Sequence, residues 1–114
     1  MNEMFAQGDL LIERVADVEP SGTIVAADQG GAVVLAEGEL TGHRHAIYER
    51  VTMFRDDSLA REIPVGLYVG HIKVSGGPAT LLHEEHAPIS LPDGTYRVRR
   101  QRELEPKDAV LVSD

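Results

Sequence analysis

Turn signals interrupt this chain so often that they leave little room for helices. Gly8-Asp9, Pro20-Ser21-Gly22, Gly30-Gly31, Asp56-Asp57-Ser58, Ser75-Gly76-Gly77-Pro78 and Leu91-Pro92-Asp93-Gly94 all combine residues that reverse a backbone. The pieces between them are mostly too brief for an ordinary helix and are rich in Val, Ile, Leu, Thr and Tyr, the composition of strands. Strands are expected over residues 10–15, 23–27, 32–36, 46–54, 66–74, 79–83, 89–91, 95–102 and 109–112. Two of these alternate cleanly. Over 95–102, Tyr96 and Val98 share one face while Arg97 and Arg99 take the other. Over 66–74, Tyr68, Gly70, Ile72 and Val74 share a face, and His71 points the opposite way with Lys73, as a surface or core-edge histidine.

Many short strands in 114 residues predict one all-β domain over 1–114, a sandwich, jelly roll or small barrel. The apolar stretch 109–112 needs a partner, either by closing a sheet or by crossing to a second subunit. An open edge among short strands makes a homodimer the expected assembly.

Charge narrows the partners. The net charge of −8 and a pI near 5.0 repel phosphate backbones and anionic membrane surfaces, so neither nucleic acid nor membrane is expected. No apolar run approaches the roughly 20 residues that span a bilayer. The N-terminal residues have neither a basic region nor an apolar one of the signal-peptide kind, which predicts a cytoplasmic protein, or a secreted one if a leader has been removed. The chain has no cysteine, so thiolate metal sites, iron–sulfur clusters and cysteine nucleophiles are excluded together. Gly30-Gly31 and Gly76-Gly77 lack the following Lys-Ser/Thr of a phosphate loop and read as turns.

Four of the five histidines fall in two tight pairs, His43/His45 and His83/His86. Residues two apart on an extended chain face the same way, so His43 and His45 can point to one cation at bond lengths of ~2 Å. His83 and His86 are three apart, and a regular strand would send them to opposite faces. Either one of them is a ligand or the segment turns, and Pro88 just beyond favours a break. The reading takes His43, His45 and His86 as ligands, with His83 as a fourth. The zinc-protease helix motif is excluded, because it needs histidines four apart. Neutral imidazoles bind the metal, so binding is expected to weaken as pH falls through ~6.5. Tyr48 and Glu49, just past the first pair, are candidate catalytic groups that orient an imidazole. Arg97, Arg99, Arg100 and Arg102 form a basic strip that suits a carboxylate or sulfate, or simply pairs with nearby acidic groups.

The stretch from Gly38 to Glu49, with His43-Arg44-His45 and then Glu49, resembles the first metal motif of the cupins. That resemblance implies a jelly-roll barrel with a metal inside one mouth, commonly held by three histidines and a glutamate, in the places of His43, His45 and Glu49. Gln7-Gly8-Asp9, Thr41-Gly42-His43-Arg44-His45, Leu82-His83-Glu84-Glu85-His86-Ala87-Pro88-Ile89, the segment from Leu91 to Val98, and Arg100-Gln101-Arg102-Glu103 also look like a family of short bacterial and phage proteins that brings no known activity.

A histidine site suits copper, iron, zinc or nickel and disfavours magnesium and calcium. The leading expectation is therefore a metal-dependent oxidoreductase in which one divalent transition metal, copper or iron, activates dioxygen or peroxide. Its substrate would be a small molecule or carbohydrate, as in the small copper cupins that this chain resembles in size and site. The alternatives are a non-catalytic binding module stabilised by zinc or nickel, and metal-assisted hydrolysis or isomerisation.

Overall fold

The computed structural model describes residues 3–38, 40–64 and 66–101. Among these residues, ten strands carry the fold: β1 (Met4–Gln7), β2 (Leu10–Val15), β3 (Thr23–Val25), β4 (Val33–Glu37), β5 (Arg44–Ile47), β6 (Val51–Arg55), β7 (Tyr68–Val74), β8 (Ala79–Leu81), β9 (Ile89–Leu91) and β10 (Gly94–Arg100). A single turn of 3-10 helix spans Asp57–Leu59. The architecture is all-β and every pairing is antiparallel. Among the described residues no helix is long and apolar enough to cross a membrane.

Six strands form one sheet in the order β1-β2-β10-β7-β6-β3, while β4-β5 and β8-β9 are separate hairpins. The hairpins are joined where Ala46 and Leu82 exchange both backbone hydrogen bonds, each 2.9 Å long. The large sheet and both hairpins share one apolar core. Alternation explains who enters it. Leu10 and Ile12 point inward from β2, Tyr96 and Val98 from β10, and Ile72 and Val74 from β7; Ile47, Leu81 and Leu91 come from the hairpins.

The sheet's other face is also used. Phe54, His71, Arg97 and Glu13 stand opposite one another on four successive strands. His71 is buried there, stacked on Phe54 at 5.5 Å, with its Nδ1 2.7 Å from the Tyr68 hydroxyl. Burial, followed by the nearby Arg97 charge, lowers its pKa. Segment 56–61 covers this row, with Asp56 N–H donating to Tyr68 and Arg97 donating to the Arg61 carbonyl.

Several expectations need correction. His71 is not a surface or core-edge histidine, because the overlying segment buries it. Tyr68 does not share a face with Ile72, because a bulge sets Val98 against Gly70 but Arg99 against Tyr68, which sends Val69 into the core. The extra residue reverses the alternation at that point. The expected strand over 46–54 is two strands, separated at Tyr48–Arg50, where Arg50 has a φ of 59°. The strand Met4–Gln7 went unread, since four residues beside a turn give little pattern. The expected strand 109–112 and Arg102 lie outside the described residues.

Core burial in this arrangement sets a contrast. Leu10 is fully buried and Leu40 is fully exposed. Leu10→Ala should destabilise the domain by about 2–5 kcal/mol, and Leu40→Ala should stay within about 0.5 kcal/mol. Urea unfolding followed by circular dichroism checks both; equal losses would mean that the core is not where this architecture puts it.

Candidate metal centre

The histidine pairs meet because of the joint between the hairpins. β4 and β5 are linked by a tight loop in which Gly38 N–H donates to the His43 carbonyl and Gly42 N–H to the Gly38 carbonyl. That loop sets His43 at its exit, and His45 follows inside β5. The Ala46–Leu82 bridge then lays the segment after β8 beside β5. Glu84 Oε1 accepts the Arg44 backbone N–H at 2.8 Å, fixing the loop that carries His83 and His86. This loop is bent rather than extended, so both of its imidazoles face the same space despite their spacing of three.

All four histidines line one cavity of about 210 Å³. Ring centroids are 4.4 Å apart for His45 and His83, 4.5 Å for His83 and His86, 5.6 Å for His43 and His83, and 6.3 Å for His45 and His86. Two imidazoles bound to one cation at about 2.0–2.1 Å can have centroids up to roughly 6.4 Å apart. Every measured pair lies inside that limit. His43, His83 and Glu84 each offer a ligand atom, and these atoms all lie within 4.8 Å of one another.

One histidine is held more firmly than the rest. His45 is buried, and its Nδ1 is 2.8 Å from Oε1 of Gln7, itself fully buried. The two amide hydrogens of Gln7 go to the carbonyls of Leu81 at 3.1 Å and Ala87 at 2.9 Å. With the amide nitrogen so used, the oxygen must face the ring, and an oxygen there accepts. His45 therefore carries its proton on Nδ1 and turns the Nε2 lone pair toward the cavity, the arrangement in which metal-binding imidazoles are commonly held.

The turn between β1 and β2 closes this corner. Gly8 has a φ of 58° at the first position of a two-residue hairpin loop, where glycine is favoured. A Cβ at Gly8 would lie 2.9 Å from His86 Nε2 and 3.2 Å from His45 Cε1, so glycine also lets the turn reach the rings. Asp9 Oδ1 stands 3.7 Å from His45 Nε2, and its other oxygen accepts from Arg100 at 2.6 Å. The Asp9 carbonyl accepts from Gln101 N–H, which ties the turn to the end of β10.

The remaining candidates lie elsewhere. Tyr48 is exposed and borders a second cavity of about 310 Å³ on the far side of His83. Glu49 reaches the Thr80 N–H at 3.4 Å and lies 3.8 Å from Arg50, and neither residue lines the histidine cavity. Of the basic strip, Arg100 reaches the cavity, while Arg97 pairs with Glu13 on the sheet. Sequence reasoning missed Gln7 and Asp9 as site residues. The sign that could have found them was Gln7-Gly8-Asp9, one of the stretches that carry the family resemblance together with both histidine motifs.

Burial pushes His45 down to about 4, helped by the neighbouring His83 ring and opposed by Asp9. Proton competition at this ring therefore begins well below the expected ~6.5. The unfolded chain takes up the proton near 6.5 and the folded chain near 4, so the unfolded state binds more protons between those values and stability falls as pH drops through them. Metal-free protein should lose about 2 kcal/mol between pH 7.5 and pH 5 through this ring. Urea unfolding of the wild type and of His45→Gln at both pH values measures that share as the difference in pH dependence; identical dependences would remove it.

The profile of a family described as a domain of unknown function, DUF8820, matches residues 6–101. That span contains Gln7, Asp9, all four cavity histidines and Arg100. No curated protein and no solved structure matches the chain. The chain belongs to the DUF8820 family, and the histidine cavity lies wholly within the part that defines it.

Proposed function

We propose that this domain is a metal-dependent oxidoreductase in which the cavity histidines hold a divalent transition metal, copper or iron. The observation that carries the proposal is the presentation of His45 Nε2 by Gln7. A buried amide, its two N–H groups committed to backbone carbonyls, turns its oxygen to one ring, with that ring's lone pair aimed into a cavity shared with three other imidazoles. His45 is the anchor and His86 approaches the same corner, with Asp9 beside them.

The donor set fits the metal. Imidazoles with a nearby carboxylate suit copper, iron, zinc or nickel, and the buried His45 stays neutral at physiological pH. A bound copper or iron would supply redox activation of dioxygen or peroxide. The chain's own groups do the rest: Gln7 orients His45, Asp9 is held in place by Arg100, and the half-open cavity admits a small organic substrate or one residue of a carbohydrate. In the same reading the six-stranded sheet facing two joined hairpins is a cupin-like sandwich with its site at one end, and its edge strands offer a surface for a homodimer.

A second reading has its own support. The histidines come from the β4–β5 hairpin and the loop after β8, and the β1–β2 turn packs against them, so a cation there would cross-link three segments. That favours a non-catalytic module stabilised by zinc or nickel.

Elemental analysis of untagged protein, followed by electron paramagnetic resonance, tests the proposal. Copper or iron should be present, with histidine nitrogen coupling if it is copper. His45→Ala should lose it, and Gln7→Leu should weaken binding by about 10–100-fold. Metal content unchanged in His45→Ala would overturn the assignment. Zinc or nickel in place of a redox metal, with a sharp fall in melting temperature on chelation, would favour the second reading.

A further inference from the structure

Ligand-type side chains meet at the cavity in two groups rather than one. The inner group gathers at the β1–β2 turn, where Asp9 Oδ1 lies 3.7 Å from His45 Nε2 and the Gly8 backbone packs against His86. The outer group is His43, His83 and Glu84, whose ligand atoms all lie within 4.8 Å of one another. We propose that the outer group holds a second cation, adjacent to the one anchored by His45. The inference rests on the metal-binding reading of the cavity.

Together the two groups exceed the needs of one ion. Four histidines, Asp9 and Glu84 make six donors, whereas a transition metal of this class commonly takes about four, some of them solvent. Polar contacts already orient each outer side chain, and the one to His83 would yield to a cation. Glu84 is fixed by the Arg44 backbone N–H on Oε1. His83 Nδ1 accepts the Glu85 backbone N–H at 3.0 Å, so that nitrogen bears the lone pair a cation would take in its place. Glu85 Oε1 sits 3.3 Å from His43 Nδ1, which favours the ring proton there and leaves Nε2 as the donor.

Charge and access separate the two positions. The Asp9 charge of the inner group is shared with Arg100, whereas Glu84 and Glu85 both stand by the outer group. The outer position therefore suits a divalent cation even where the inner one is filled. His83 forms a wall common to the histidine cavity and to the second cavity, which Arg44, Tyr48 and Glu84 also border. The outer position can thus be reached from a different side. With His45 and His83 rings 4.4 Å apart, the two cations would be neighbours, as in sites where paired metals share one substrate.

Two imidazoles, one carboxylate and a solvent position make a set suited to zinc, with cobalt as its spectroscopic substitute. Protein stripped with a chelator should be titrated with zinc(II) in a calorimeter, and its retained metal measured after desalting. The wild type should take about two equivalents per chain. Glu84→Gln keeps an oxygen for the Arg44 N–H, so the loop stays in place; it should lose about one equivalent and keep the other, as should His43→Ala. His45→Ala should lose the complementary one. One equivalent in the wild type, or two retained in Glu84→Gln, would overturn the second position and leave the first standing. No bound zinc in the wild type would overturn both.

Discussion

Gln7 is the residue on which the arrangement of the site depends. Its amide makes three hydrogen bonds in a fully buried position, two to carbonyls on separate segments and one to His45. An unpartnered amide at such depth would cost several kcal/mol, so the segments that satisfy it are held in one mutual arrangement. β1, the end of β8 and the loop that follows are tied to β5 through this one side chain. The tautomer of His45 follows as a consequence, because an oxygen can only accept. A structural need, satisfying a buried amide, and a chemical outcome, presenting a lone pair, are met by the same three contacts.

The division of the strands gives that contact its setting. The six-stranded sheet supplies one wall of the core and the two hairpins supply the other. The hairpins are joined by the bridge at Ala46 and Leu82. Residues immediately beyond that bridge leave regular pairing and are free to bend, and His83 and His86 lie there. The β1–β2 turn reaches across from the large sheet, anchored by Asp9 to both Arg100 and Gln101. The site thus lies where three elements end, each held rigid one or two residues away. The opposite face of the sheet does different work: Phe54, His71, Arg97 and Glu13 form a covered row whose histidine has hydroxyl and ring contacts of its own.

Much of this was legible in the residues. Turn signals located β2 and β9 to the residue and most other strands to within a few residues, because Gly, Pro and Asp punctuate by local sterics that need no tertiary context. The meeting of the two histidine pairs at one cavity was legible, since few histidines occur and they cluster. What the sequence hid was non-local. The bulge at Val69 and Gly70 reverses alternation without any local mark, so Tyr68 was set on the wrong face. His71, read as a surface or core-edge histidine, is buried by segment 56–61, a covering that strand periodicity does not report. The split of 46–54 depends on Arg50 adopting a positive φ, which no residue there announces. Gln7 is separated from its partners by 38 to 80 positions in the chain, and no periodicity reports such a pairing.

The central claim is that His45 is held as the Nδ1–H tautomer with Nε2 open to the cavity. Long-range nitrogen–proton correlation spectra of metal-free, 15N-labelled protein at neutral pH read this directly. The account predicts a protonated Nδ1 and an unprotonated Nε2 for His45, with Nε2 responding when metal is added. A protonated Nε2, or an equal mixture of tautomers, would contradict it.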